Sequence, residues 1–155
     1  MRDTIYELKY YAEFNVRYWG IIENKYSRVN NGIKILLAIG SIIGLVTLIG
    51  GKDSMLISSL ISALCALIAT AVIPVIGWEH QISKISETKN RWIDLEKIIN
   101  GYWRDYERTE KLSRSKLGEV ESIMADLSKT SFWIKEDCKI KDRVELDMKA
   151  YYPVS

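Results

Sequence analysis

The chain has 155 residues, with 22 Lys or Arg, 20 Asp or Glu, one His and two Cys, for a formal charge of +2. That length suits one domain. The balanced charge leaves no basic excess for direct nucleic-acid binding, and two cysteines are too few for a disulfide-built scaffold.

The near-neutral mean hydropathy hides a strong segregation of charge. Between Ile35 and Trp78 the only charged residues are Lys52 and Asp53, whereas the segment from Glu79 to Ser155 carries 15 basic and 15 acidic residues. A water-soluble domain normally mixes the two along every element, because each element has a wet face. The segregation therefore predicts an all-α integral membrane protein, a two-helix transmembrane hairpin flanked by long amphipathic cytoplasmic helices.

In chain order, residues 4–31 predict an amphipathic helix, with Leu8, Tyr11, Asn15, Tyr18, Ile22 and Val29 near one face and Trp19 and Tyr26 beside it. Residues 33–50 and 54–78 predict the two spans. Lys34 lies at the edge of the first, and the second carries no charge, so each qualifies against the roughly 20 apolar residues that a bilayer core needs. Gly50 and Gly51 free the backbone to turn, Lys52 and Asp53 keep the turn in water, and Ser54 caps the returning helix. Arg17, Lys25, Arg28 and Lys34 precede the hairpin and Lys84, Lys89, Arg91 and Lys97 follow it, while the turn holds only Lys52. The positive-inside rule then puts both termini in the cytoplasm.

Residues 79–117 predict a cytoplasmic helix running straight out of the second span, with Ile85, Thr88, Trp92, Leu95, Ile99, Tyr102 and Tyr106 in a heptad-like stripe. Gly118 is the expected break. Residues 118–155 form a C-terminal helical region with a second stripe at Leu117, Val120, Met124, Leu127, Ser131 and Ile134. The segment 140–152 alternates like a strand, yet Ile140, Val144, Met148 and Tyr151 also suit a helix, and its Glu, Leu, Met, Lys and Ala content favours helix.

Chemistry-bearing patterns are sparse. His80 stands alone just past the second span, and no phosphate loop, paired CxxC, zinc-protease motif or nucleophile elbow is present. No catalytic, cofactor-binding or metal-binding residue is expected, and no cofactor.

The spans carry small residues at helical spacing: Gly40 and Gly44 in the first; Ser58, Ser62, Ala66 and Thr70 in the second. These stripes suit close helix–helix contact in lipid. Either both serve the hairpin itself, or one faces neighbouring protomers and its hydroxyls line a weakly polar path. Pro74 is the expected hinge at the exit. No ionisable residue lies deep in either span, which argues against a carrier. In the tail, Arg104, Arg108 and Lys111 share a face suited to an anionic ligand, although Asp105, Glu107 and Glu110 interleave. Trp92, Ile99, Tyr102 and Tyr106 read first as cytoplasmic helix packing.

This organisation resembles the SLATT domain, a two-transmembrane effector family of bacterial defence systems of the nucleotide-signalling or retron-like kind. The likeness rests on the aromatic helix "YYAEFNVRYWGIIENKYSRVN", the short turn "IGGKDS" and the amphipathic "WEHQISKISETKNRWIDLEKI", over about residues 5–130. It implies a homo-oligomeric effector of the bacterial inner membrane. Such an effector is held silent until a nucleotide signal or another cytoplasmic regulatory partner acts, then permeabilises or depolarises the membrane in abortive infection. Membrane lipids are the other expected partner, and no direct nucleic-acid binding is expected. A non-conducting anchor or scaffold recruiting a cytoplasmic partner, and a phage holin-like lysis protein, are the competing expectations.

Overall fold

A computed structural model describes residues 2–49, 55–69, 77–109, 113–130 and 136–152, excluding the side chains of 44–49, 55–58 and 130. Every element these residues form is helical: α1 (Arg2–Ile49), α2 (Met55–Leu67), α3 (Trp78–Thr109), α4 (Arg114–Thr130) and α5 (Cys138–Tyr151). The chain divides into two compact units, one of residues 1–23 with 84–155 and one of residues 24–83.

The first unit gathers the start of α1, most of α3, and all of α4 and α5 around one apolar core. Ile5, Leu8, Ala12, Trp19 and Ile22 come from α1; Ile85, Trp92, Leu95 and Ile99 from α3; Val120 and Leu127 from α4; Ile140, Val144 and Met148 from α5. Each set recurs at steps of three and four, so each helix buries one stripe and keeps its charges outside. Ion pairs then tie the outer rims. Glu23 accepts from Lys89 between α1 and α3, and Arg91 pairs with Asp126 at 2.9 Å between α3 and α4.

Helix α5 is held against α1 at both ends. At its start Asp137 is the N-cap, its carboxylate accepting from the Ile140 amide at 3.3 Å, while the Asp137 amide itself donates to the Tyr18 hydroxyl at 3.1 Å. At its end the Tyr152 hydroxyl donates to the Glu13 carboxylate. The segment that alternated like a strand is thus a helix. Its polar residues face outward, and Ile140, Val144 and Met148 fall on one stripe.

Several boundaries differ from the sequence expectations. The elements expected at 4–31 and 33–50 form a single helix, because no proline interrupts the Asn30–Asn31–Gly32 junction. The helix expected over 79–117 ends at Thr109, and the next starts at Arg114 behind Ser113, whose hydroxyl accepts from the Ser115 amide at 3.2 Å. Gly118 lies inside α4, with nothing within 4 Å of where its Cβ would sit, so it causes no break. Tyr11 and Val29 are exposed, and Ile5 and Ala12 take the core positions instead. A tyrosine can leave its ring at the rim and its hydroxyl in water, whereas Ile5 has no polar atom to satisfy.

In the second unit, the later part of α1 and α2 form the two arms of the hairpin, followed by the first turn of α3. Ile68 and Ala69 extend α2 by a π turn. The expected spans 33–50 and 54–78 both run past the described residues, as does Pro74. Among the described residues no helix is long and apolar enough to cross a membrane. Nor is the helix continuous into α3. Gly77 sits at φ 61, a left-handed conformation open to glycine, and its carbonyl accepts the first helical bond of α3 from Gln81 at 3.0 Å. Gly77 therefore turns the chain directly before Trp78.

Leu127 is fully buried, so Leu127→Ala should cost about 2–5 kcal/mol of stability. Chemical denaturation followed by helical circular dichroism checks this.

Candidate functional site

The second unit presents apolar side chains on both arms. Ile35, Leu36, Ile39, Ile42 and Ile43 on α1 and Leu60, Leu64 and Leu67 on α2 are between 43% and 74% exposed. Contiguous apolar surface on this scale marks a membrane or partner contact, because water cannot solvate it favourably. The arms meet where Gly40 is buried against Cys65: a Cβ at residue 40 would lie 2.2 Å from the Cys65 Sγ and 3.5 Å from its Cβ. Gly40 thus makes the close approach for which its residue type was singled out, but to Cys65. Ser62 is half-buried and Ala66 exposed. The side chains of Gly44 and Ser58, together with Thr70, lie outside the described residues. Cys65 was not among the contact residues read from the sequence. Its small size and its place beside Ala66 were the available signal.

At the other end of the hairpin the chain becomes polar abruptly. The Trp78 indole donates to the Tyr26 carbonyl at 3.4 Å, and the two rings lie 5.3 Å apart. One residue on, Glu79 accepts from Lys34 at 2.9 Å. The bond from Lys34 and its positive charge hold the Glu79 carboxyl below its ordinary range. Both groups are more than half exposed, so the pair adds little stability, but it marks a polar level shared by the two helices. His80 is exposed beside it. Among the described residues no three His, Cys, Asp or Glu are placed to hold a metal ion.

The basic face lies on α3 in the first unit. Ile98, Gly101, Tyr102, Arg104, Asp105 and Arg108 line an open groove of about 390 Å³. The Arg104 Nε donates to the Asn100 carbonyl at 3.3 Å, a bond that does not use its terminal nitrogens. Two guanidiniums one helical turn apart can take an anion, and Asp105 between them limits how much negative charge the groove tolerates. Lys111, the third residue of the expected face, lies outside the described residues. Trp92 and Ile99 are buried core, while Tyr102 and Tyr106 are half-buried. The Lys116 ammonium sits 4.9 Å from the centre of the Tyr102 ring, and Trp103 and Tyr106 lie 6.5 Å apart. The Trp92 indole N–H finds no acceptor among the described residues.

Aromatic residues near the start of α1 also meet the end of α5. In the first unit Tyr6 and Tyr10 meet Tyr152 edge-on at 5.3 and 5.6 Å, and Arg17 lies 4.8 Å from the centre of the Tyr151 ring while bonding Glu13 at 2.6 Å. Burial first, then the bond to Glu13, pushes the Tyr152 hydroxyl well above its usual range. Nothing in the sequence singled out Glu13, because its partner is 139 positions away.

Comparison with protein-family models, with curated proteins and with solved structures gives no match.

The geometry generates two predictions. Gly40→Ala should force the arms apart and cost about 1–3 kcal/mol, and Cys65→Ala in the same chain should restore most of it by removing the sulfur that clashes. A double-mutant cycle of unfolding midpoints tests this. At Glu23, burial raises the carboxyl pKa, but hydrogen bonds from Lys89 and Ser86 outweigh it and leave the net value lowered. That contribution is present above the ordinary glutamate value and disappears as pH falls through the lowered one. Glu23→Gln should therefore flatten the acid limb of a stability–pH profile, with the neutral-pH stability reduced.

Proposed function

We propose that the chain is an effector of the bacterial inner membrane. Its apolar hairpin inserts with both flanks on the cytoplasmic side, oligomerises, and permeabilises or depolarises the membrane in an antiphage, abortive-infection response. The observation that carries this reading is the exposed apolar surface on both arms of the hairpin, bounded at one end by Tyr26, Lys34, Trp78 and Glu79. Tryptophan and tyrosine prefer the boundary between hydrocarbon and headgroups, and charged pairs belong just outside it. The flanking basic residues support the orientation, and the resemblance to SLATT effectors supports the outcome. In this reading the first unit is the control module, and the groove at Arg104 and Arg108 receives an anionic regulator.

A second reading has its own observation. The first unit has a developed core and a basic groove, as a docking module would, so the hairpin serves as a non-conducting anchor for a cytoplasmic partner.

One experiment separates the two. Induced expression with its trigger present should collapse the membrane potential, read by a potential-sensitive dye, before cells lose optical density. Normal potential with correctly inserted, triggered protein, joined to co-purification of a soluble partner, would select the anchor.

A further inference from the structure

Resting on the membrane reading above, the dimensions of the hairpin specify the kind of bilayer it fits. Its polar end is fixed by two contacts: the Lys34–Glu79 pair at 2.9 Å, and the Trp78 indole on the Tyr26 carbonyl at 3.4 Å. Lys34 is the last charged residue of α1 before the apolar run that starts at Ile35, so hydrocarbon begins at its level. From Lys34 the helix continues to Ile49, which is 49 − 34 = 15 further residues. At helical rise those residues reach only about 22 Å. The next four residues in sequence are Gly50, Gly51, Lys52 and Asp53, so the apolar stretch stops there. The return run is longer, from Ser54 to Trp78, and the first arm therefore sets the reach.

An ordinary hydrocarbon core is about 30 Å thick. The first arm falls short of it by several ångströms. A hairpin halted partway would leave Lys52 and Asp53 in hydrocarbon, which is costly for both. A helix cannot lengthen to close the gap, but lipid can yield, because a bilayer thins around a span that is too short. We infer that the hairpin is matched to a bilayer thinner than ordinary, and that in thicker membranes its turn reaches the far surface only as far as the lipid around it can thin, and so less often as the acyl chains lengthen. The occupant of its exposed apolar surface is thus short-chain or locally compressed lipid.

The test uses the full chain made by cell-free synthesis beside preformed vesicles, so that both flanks stay outside and the turn must cross. Lys52→Cys is introduced with Cys65→Ala and Cys138→Ser, and a membrane-impermeant maleimide dye is trapped in the lumen. Phosphatidylcholine–phosphatidylglycerol vesicles are stepped in acyl length from about fourteen to about twenty-two carbons, and lumenal labelling should fall roughly tenfold across the series. Adding Lys34→Leu, which lengthens the apolar stretch, should move the fall to longer acyl chains. Equal labelling at every length would overturn the inference. So would protein that floats with the vesicles yet is never labelled, since the turn would then stop inside the membrane. Protein that floats with no vesicle would remove the membrane reading itself.

Discussion

The Glu13 carboxylate gathers the Tyr152 hydroxyl and the Arg17 guanidinium, and five residues along the same helix the Tyr18 hydroxyl takes the Asp137 amide. Closure of the first unit depends on these contacts. They hold α5 in register, so that Ile140, Val144 and Met148 complete a core whose other walls are α1, α3 and α4. At this seam the Tyr18 and Tyr152 hydroxyls and the Glu13 carboxylate each have a partner, which matters because burying an unsatisfied hydroxyl or carboxylate would offset much of the apolar gain. The Trp92 indole is the exception among the described side chains. Its ring fills the core while its N–H goes without an acceptor.

The same sequence is legible to different depths in different places. Ile85, Thr88, Trp92, Leu95 and Ile99 stand out because periodicity is a local property, and the structure buries all five. The end of α3 is less legible. Gly118 looked like the interruption, yet a glycine in a helix costs only about 1 kcal/mol, which neighbouring packing absorbs. The signal was Ser113, a capping residue inside a stretch rich in such residues. In α1 the choice between Tyr11 and Ala12 for the core turned on shape, which pattern alone does not encode. The Glu13–Tyr152 contact was not legible at all, since nothing local relates residues so far apart.

In the second unit the approach of Gly40 to Cys65 and the turn at Gly77 are both glycine effects of different kinds. Gly40 supplies the absence of a side chain where another helix needs the space, and Gly77 supplies a backbone angle. Only the first was legible, because a paired Gly-x-x-x-Gly advertises itself, whereas a lone glycine before Trp78 does not.

The distance along the chain between Glu13 and Tyr152 also orders events during synthesis. The residues that form α5 leave the ribosome after the other three segments of the first unit, so that unit stays open while the hairpin has already been made. Contacts within the hairpin are comparatively local, and local contacts form soonest. The hairpin thus forms first, and the charged bundle closes only when its last helix arrives.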